Sequence, residues 1–315
     1  LWVNTGLLAD VKRAQQRGAE GVGLYRSEVA FMGTSRFPSE SEQVLMYREQ
    51  LEAFHPLPVT MRTLDVGGDK PLSYFPIKES NPYLGWRGIR ITLDHPEIFL
   101  VQVRAMIKAS AGLNNLHILL PMISGVHELD DAQHLIHRAW GELIQEGLDV
   151  QMPQIGVMIE VPSAVYQARE LARMADFLSV GSNDLTQYLL AVDRNNARVA
   201  ALYDYLHPAV LMALQDVVSA AHAEGKPVSI CGEMAGDPVA AVLLLAMGFD
   251  SLSMNSTHLP KVKWLLRKMT LEHAQALLAE VSSMDNPQVI HSTLNLALGN
   301  LGLGKVLNPA SSVQT

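Results

Sequence analysis

Eight short apolar runs, each bounded by turn-forming residues, constrain the fold of this chain more than any other feature. Such runs are typical of buried strands, and they lie at 20–25, 58–64, 87–93, 116–122, 155–160, 177–181, 228–232 and 250–254. Segments with a helical period separate most of them, at 41–54, 96–111, 126–146, 162–174, 184–193, 209–224 and 238–247. Strands that alternate with helices pair in parallel, and eight is the strand number of a (β/α)8 barrel. The pattern therefore predicts an α/β protein of the TIM-barrel type.

Further helical segments follow the last predicted strand, at 259–268, 271–283 and 286–298. The last two are expected to pack outside the barrel. A barrel of this kind routinely forms one unit of about 250 residues, and no composition break marks a linker. We therefore expect a single domain over residues 1–298 and a flexible C-terminal tail over residues 299–315.

Composition excludes several classes of function. The net charge of −8 gives no basic surface for nucleic acid or anionic lipid. The longest apolar stretch, 238–249, is shorter than the ~20 residues that span a bilayer. One cysteine excludes an internal disulfide, and no signal peptide opens the chain. These features predict a cytoplasmic protein, and Leu1 in place of Met suggests a portion of something longer.

Two carboxylates follow neighbouring strand-like runs. Glu160 ends the run at 155–160, and Asp184 follows the run at 177–181. Because the carboxyl ends of neighbouring parallel strands point into one crevice, both acids are expected to face the same ligand. Two hard oxygen donors suit Mg²⁺. The alternative from spacing alone is that both acids are ion-pair partners of nearby arginines, with no metal present.

Four arginines recur where a barrel would direct them at its mouth: Arg26, Arg62, Arg87 and Arg194. Guanidinium groups bind phosphate and carboxylate oxygens in pairs, so four together indicate a small ligand with several negative charges. Each could instead form a structural ion pair at a strand end. Asn183, beside Asp184, could either cap the next helix or donate its amide to a ligand.

The interval between Leu64 and Trp86 is rich in Gly and Pro and has no helical period. An irregular segment of this length inside a compact domain is often functional. Its Gly67-Gly68 pair and Lys70 favour that interpretation, and we take Lys70 as a candidate substrate-binding residue. The alternative is an ordinary solvated lysine.

Cys231 ends the predicted strand at 228–232. A lone cysteine is usually a small buried apolar residue. At the mouth of a barrel, however, its thiol could donate a proton, because an ordinary pKa of about 8.5 leaves it protonated at neutral pH. Among the histidines, only His207 is expected near the mouth.

Six ordered motifs carry a resemblance to a known family: GAEGVGLYRSE (18–28), MRTLDVGGDKPL (61–72), NPYLGWRGIRI (81–91), IGVMIEVPSA (155–164), SVGSNDLTQYLLAVDR (179–194) and ICGEMAGDP (230–238). Together they resemble the phosphoenolpyruvate-binding domain of the phosphoenolpyruvate–protein phosphotransferases, enzyme I of the bacterial phosphotransferase system. The resemblance covers about residues 3–283. The run DHPEIFLVQVRAM (94–106) and the His-Pro pair at 207–208 look more like the nitrogen-related paralogue.

The resemblance implies a (β/α)8 barrel that forms a homodimer, binds phosphoenolpyruvate and releases pyruvate. The implied substrate-binding residues are Arg26, Arg62, Arg87, Asn183, Asp184 and Arg194. Mg²⁺ would be ligated by Glu160 and Asp184, and Cys231 would be the proton donor. The phosphorylated histidine of the family lies on a separate N-terminal domain, which passes the phosphoryl group to a downstream phosphocarrier protein.

Two other functions stay open at this point. One is a stand-alone Mg²⁺-dependent lyase or aldolase that acts on pyruvate or oxaloacetate on the same barrel. The other is a non-catalytic sensor that reports phosphoenolpyruvate through dimerisation. Cys231 distinguishes these possibilities, because the phosphotransferase needs a proton donor to the substrate carbon and a sensor does not.

Overall fold

A computed structural model describes residues 1–303. Eight strands close into one barrel, in which neighbouring strands pair in parallel and the last strand pairs with the first. They are β1 (Trp2–Thr5), β2 (Val22–Arg26), β3 (Val59–Arg62), β4 (Leu116–Leu120), β5 (Gln154–Ile159), β6 (Phe177–Gly181), β7 (Val228–Cys231) and β8 (Ser251–Met254). The predicted fold class is therefore confirmed.

Helices connect the strands and surround the barrel. They are α1 (Leu8–Gln16), α2 (Glu28–Met32), α3 (Glu40–Phe54), α4 (Ile89–Asp94), α5 (Pro96–Ala109), α6 (Val126–Gln145), α7 (Pro162–Tyr166), α8 (Ala168–Met174), α9 (Ser182–Leu190), α10 (Pro208–Ala223), α11 (Glu233–Gly236), α12 (Pro238–Met247), α13 (Leu259–Leu266), α14 (Leu271–Val281) and α15 (Pro287–Asn300). Between Met158 and Asp184 the chain thus passes through two short helices, where the sequence predicted one.

The predicted strand at 87–93 is wrong, and the true first strand was missed. Residues 89–94 form α4, and both Ile89 and Ile91 are buried. Ile89 belongs to the main core whereas Ile91 belongs to a separate apolar cluster, so this short helix is buried on two sides. Its sequence is therefore as apolar as that of a buried strand. The barrel instead begins with β1, which has only four residues and alternates partly and fully buried positions.

The core has two main parts. Apolar side chains between the sheet and the helices form the larger one. A smaller cluster lies inside the barrel and contains Leu24, Leu119, Met158, Phe177 and Cys231. Room inside the barrel is limited: a Cβ atom at Gly23 would lie 2.4 Å from the Ser253 hydroxyl oxygen.

The segment between Leu64 and Trp86 is mostly irregular, as predicted, and contains one short 3-10 turn at Pro82–Leu84 and two isolated antiparallel bridges, Gly67 with Lys70 and Leu72 with Phe75. It nevertheless has an apolar core of its own, in which Val66 and Leu72 pack with Phe31, Leu64 and Ile91. Around them lie several aromatic rings in edge or tilted contacts. The segment is therefore ordered mainly by packing, to which the two isolated bridges add local backbone pairing.

The additional C-terminal helices are present, and α14 packs against α12 on the outside of the barrel. The last helix runs to Asn300 and so includes the first two residues of the predicted tail, which starts at 299. The rest of that predicted tail, residues 304–315, lies outside the described residues. No helix within residues 1–303 is long and apolar enough to cross a membrane.

Candidate active site

A cavity of about 910 Å³ opens at the carboxyl ends of the strands. Eight of the nine predicted site residues line it: Arg26, Arg62, Lys70, Glu160, Asn183, Asp184, Arg194 and Cys231. The ninth, Arg87, does not line the cavity and is fully buried behind it. Side chains that are far apart in the sequence thus converge at one end of the barrel, which is what parallel strands impose.

Asp65 is the centre of a buried group of charges. Its carboxylate lies 2.9 Å from Arg62 Nη1 and 3.2 Å from Arg87 Nε, and it also accepts a hydrogen bond from Lys70. Burial alone would raise the pKa of Asp65, but these three cations hold it well below its ordinary value. Asp65 is therefore ionised and fixes three cationic side chains at once.

Arg87 connects Asp65 to the second carboxylate of the cavity. Its Nη2 donates to Asp184 Oδ2 at 3.0 Å, and its Nη1 donates to the Tyr188 hydroxyl at 3.2 Å. Tyr188 in turn donates to the backbone carbonyl of Tyr83. Because these contacts are all buried or half-buried, Arg87 holds Asp184 in a fixed orientation. The predicted contact of Arg87 with substrate stays a prediction.

Arg62 and Arg194 each contact one more carboxylate of this group. Arg62 donates to Glu28, which is almost fully buried. Arg194 Nη1 lies 3.5 Å from Asp184 Oδ1. Burial alone would raise the pKa of Asp184, but Arg87, Lys70 and Arg194 hold it below its ordinary value. Asp184 is therefore ionised, as a metal ligand or an arginine partner requires.

Glu160 is in a different electrostatic position. It is fully buried, and burial together with the carboxylates of Asp184 and Asp65 raises its pKa to about 8. Its Oε1 accepts a hydrogen bond of 2.7 Å from the Met122 backbone N–H, whereas its Oε2 has no hydrogen-bond partner. A buried carboxylate oxygen without a partner is costly unless something else binds there.

The two carboxylates suit a magnesium site that is completed by water and substrate, rather than a metal site made only of protein ligands. No cluster of three or more His, Cys, Asp or Glu side chains suited to a metal occurs within residues 1–303. Mg²⁺ usually takes one or two carboxylates and completes its shell with water and substrate oxygens. The free Oε2 of Glu160 and the ionised Asp184, both on the wall of one cavity, match that donor set.

Arg26 and Asn183 offer donors to the cavity. Arg26 is exposed and forms no ion pair within the described part of the chain. Asn183 Oδ1 accepts a hydrogen bond of 3.1 Å from the Glu233 N–H, which leaves the amide –NH₂ group to donate elsewhere. Asn183 does not cap α9, the helix it lies in, but accepts from the first N–H of α11; the donors of both side chains suit a ligand with acceptor oxygens.

Cys231 lies on the cavity wall and is buried. Burial is the main cause that raises the pKa of its thiol to about 12. The nearby Arg62 opposes this shift, and Glu160 reinforces it. The thiol is therefore protonated at neutral pH, so that it can donate a proton but is a poor nucleophile.

Sequence reasoning missed several residues at the site. The buried acids Glu28 and Asp65 belong to two of the recognised motifs, and Asp65 directly follows the run of β3, which was an available signal. His258, and not His207, lines the cavity. His207 instead begins α10, where its Nδ1 accepts from the Ala209 N–H at 3.1 Å. The role of Met122 depends on backbone geometry and had no sequence signal.

A family model described as "PEP-utilising enzyme, PEP-binding domain" matches residues 1–271. Among curated proteins, the chain is 53% identical over 277 residues to a "Phosphoenolpyruvate-dependent phosphotransferase system" protein of Salmonella typhimurium, covering 87% of this chain and 37% of that protein. It is 46% identical over 276 residues to a "Phosphoenolpyruvate-protein phosphotransferase" of Haemophilus influenzae, covering 87% of this chain and 48% of that protein. The chain thus spans about a third to a half of the length of these relatives.

A similar enzyme of Geobacillus stearothermophilus, "Phosphoenolpyruvate-protein phosphotransferase", is 42% identical over 294 residues, covering 93% of this chain and 51% of that protein. Among solved structures, a citrate lyase of Burkholderia xenovorans LB400 matches with a TM-score of 0.50 and 14% identity. That match covers 95% of this chain and 92% of the other. At this identity it shows the fold alone.

Proposed function

This chain belongs to the PEP-utilising enzymes through their PEP-binding domain, and from that premise we propose that it binds phosphoenolpyruvate with Mg²⁺. In the proposed reaction the phosphoryl group passes to a histidine on a separate domain, and pyruvate is released. The observation that carries the proposal is the composition of one cavity, where Arg26, Arg62 and Arg194 face two carboxylates and a protonated thiol.

The charges of this cavity suit the substrate. Phosphoenolpyruvate carries about three negative charges, so it needs several cationic side chains in a water-poor site. Arg62 and Arg194 are already held in place by carboxylates, and Arg26 is available to bind an incoming oxygen. Preorganised donors of this kind stabilise charge on the transferring phosphoryl group without rearranging during the reaction.

A bound Mg²⁺ would supply charge neutralisation between phosphate oxygens and the carboxylates of Glu160 and Asp184. The chain's own residues account for the remaining steps. When the phosphorus–oxygen bond breaks, its electron pair stays on the enolate oxygen of pyruvate. That pair becomes the carbonyl as the methylene carbon takes the proton from the Cys231 thiol. The resulting thiolate lies near the Arg62 guanidinium, which favours its charge.

Replacing Cys231 tests the proposed proton transfer. We expect Cys231→Ala to bind phosphoenolpyruvate as the wild-type chain does, yet to form no pyruvate when the histidine domain is added in trans. The reason is that binding uses the arginines, whereas only the thiol can protonate carbon. Calorimetry measures binding and a coupled pyruvate assay measures turnover. Gly141→Ala, at a half-buried position of α6 where an added Cβ meets no atom within 4 Å, is the matched control. Wild-type turnover in Cys231→Ala would remove the thiol from the mechanism.

The magnesium assignment has its own test. We expect Glu160→Gln combined with Asp184→Asn to abolish the effect of Mg²⁺ on phosphoenolpyruvate binding, because both proposed ligands lose their charge. Asp149→Asn combined with Glu170→Gln removes the same formal charge from exposed positions and serves as the control. The assignment fails if calorimetry finds the same magnesium enhancement in both double variants.

The alternatives are less well supported. A sensor needs no proton donor to the substrate carbon, yet the Cys231 thiol lines the cavity and its raised pKa keeps it protonated. A stand-alone lyase or aldolase has the same fold, but the likeness to a citrate lyase carries no activity at 14% identity. Pyruvate enolisation by this chain alone would favour that alternative.

Several further points remain proposals that the resemblance implies. They are the homodimer, the N-terminal phosphohistidine domain, the downstream phosphocarrier protein, the cytoplasmic location and the nitrogen-related branch of the family. The domain limits at 298 and 299 also stay a prediction. Sedimentation equilibrium of the purified chain tests the homodimer.

A further inference from the structure

We propose that Met122 and Gly181 are positioning residues that present Glu160 to the cavity through a single carboxylate oxygen, and that this arrangement selects Mg²⁺ over Ca²⁺. The inference rests on the proposed function, since Glu160 is a proposed ligand of the ion. It concerns two residues that act on the Glu160 side chain, Met122 through its backbone N–H and Gly181 through its lack of a side chain.

Met122 fixes one oxygen of Glu160. It follows β4 and has a φ of 60°, a left-handed conformation that a non-glycine residue adopts rarely. This conformation aims the Met122 N–H at Glu160 Oε1, with a nitrogen–oxygen distance of 2.7 Å. Met122 is itself buried, and its side chain lies against Gly88, where a Cβ atom would be 2.9 Å from Met122 Cγ. Packing therefore holds the unusual backbone, and the backbone holds the carboxylate.

Gly181 leaves room for the other oxygen. It ends β6, the strand next to β5, and immediately precedes α9, the helix that carries Asp184. A Cβ atom at Gly181 would lie 2.8 Å from Glu160 Oε2 and 3.2 Å from Glu160 Cβ. Only glycine lets Oε2 occupy this space over the end of β6. Oε2 is also the oxygen with no hydrogen-bond partner.

The two oxygens of Glu160 are therefore not equivalent. Oε1 already accepts from a backbone N–H, whereas Oε2 has no hydrogen-bond partner and lies against Gly181, three residues before Asp184. Mg²⁺ prefers single oxygens in a tight octahedron, whereas the larger Ca²⁺ readily takes both oxygens of a carboxylate. Because Oε1 already accepts from Met122 and only Oε2 has no partner, Glu160 suits the single-oxygen contact of the first ion better than the bidentate contact that favours the second.

Gly181→Ala tests the arrangement, because its methyl group must displace Glu160 Oε2. Residues that orient a metal ligand typically contribute about 10–100-fold to metal affinity. We therefore expect the Mg²⁺ affinity of the chain with phosphoenolpyruvate to fall by at least about tenfold, while Gly141→Ala binds like the wild type. Titration calorimetry with MgCl₂ and with CaCl₂ gives both affinities. The proposal is overturned if Gly181→Ala binds Mg²⁺ like the wild type, or if the wild type binds Ca²⁺ as tightly as Mg²⁺.

Two variants at Met122 separate its backbone from its side chain. Met122→Gly keeps the N–H and adopts a positive φ readily, so its Mg²⁺ affinity is expected to stay within about threefold of the wild type. Met122→Val, which is β-branched and disfavours a positive φ, is expected to lose about tenfold or more. Equal affinities in the two variants would contradict a backbone role.

A measurement without any metal keeps the inference distinct from the magnesium proposal. In the metal-free chain, the amide hydrogen of residue 122 is expected to exchange slowly in the wild type and in Gly141→Ala, and at least tenfold faster in Gly181→Ala. Nuclear magnetic resonance resolves this single amide. Absence of metal binding by the wild type would refute the magnesium ligands, whereas unchanged exchange in Gly181→Ala would refute the positioning.

Discussion

Asp65→Asn is the sharpest test of how the cavity wall is held together. Asp65 is fully buried and contacts Arg62, Arg87 and Lys70. Asparagine has nearly the same shape but no charge, so the substitution leaves these cations facing one another without their shared partner. Glu28 and Asp184 then remain as the nearest counter-charges, for Arg62 and Arg87 respectively.

The expected loss of stability is large. Removing one partner of a buried ion pair costs about 3–5 kcal/mol, because an uncompensated charge stays buried. Three cations share Asp65, and both arginines are buried, so screening by water is weak. We therefore expect the free energy of unfolding to fall by about 3–5 kcal/mol, a large part of the ~5–15 kcal/mol that is usual for a folded domain.

The loss should depend on pH with a defined sign. The pKa of Asp65 is lower in the folded chain than in the unfolded one. Its stabilisation is therefore fully present above the unfolded pKa of about 3.9 and disappears as the pH falls through the folded value. The difference between the wild type and Asp65→Asn should be constant from pH 5 to 7 and should shrink below about pH 4.

Urea denaturation followed by circular dichroism measures both effects. Asp149→Asn removes the same formal charge from an exposed position and should change the free energy of unfolding by less than about 0.5 kcal/mol. If Asp65→Asn loses less than about 1 kcal/mol, or if its loss does not shrink in acid, Asp65 is not the partner that holds these buried cations together.

Two other substitutions give independent tests. The pKa of Glu160 is raised to about 8, so this group stabilises the metal-free fold fully below its ordinary pKa of 4.5, and the contribution is lost as the pH rises through 8. Glu160→Gln should therefore flatten the decline in the free energy of unfolding between pH 5 and 8, measured by urea denaturation. An unchanged slope would reject the raised pKa. Gly23→Ala places a methyl group 2.4 Å from the Ser253 hydroxyl oxygen inside the barrel. Urea denaturation should show a free energy of unfolding that is lower by about 1–3 kcal/mol than that of Gly141→Ala. Equal stabilities would show that the barrel interior has room for a methyl group.

The sequence predicts the barrel well because seven of its strands are apolar and strongly bounded. Their alternation with helices then sets the parallel topology and brings Glu160 and Asp184 to one rim. The sequence misplaces the eighth strand because a short helix that is buried on two sides, through Ile89 and Ile91, has the same apolar pattern as a buried strand. The true strand, Trp2–Thr5, is only partly buried and gives a weaker pattern. Periodicity cannot distinguish these cases over so few residues.

The candidate site divides in the same way. Charged residues at strand ends, such as Arg62 and Asp184, could be selected because their position in the strand pattern directs them to the mouth. What each one contacts could not be predicted. Arg87 lies behind the cavity rather than on it, and the free oxygen of Glu160 depends on the backbone angle of Met122. Such details arise from tertiary packing, which leaves no trace in spacing.

The separate apolar cluster beneath the segment between Leu64 and Trp86 has a consequence for how the cavity admits its ligand. Val66 and Leu72 pack with neighbours that are not part of the main core, so this segment can loosen as a cooperative unit while the strands stay shut. Lys70 would swing away with it, but Glu160 and Asp184, anchored at β5 and β6, would not. Each opening must also break the ion pair between Lys70 and the buried Asp65, so the entrance opens rarely, and the acidic rim survives each opening unchanged.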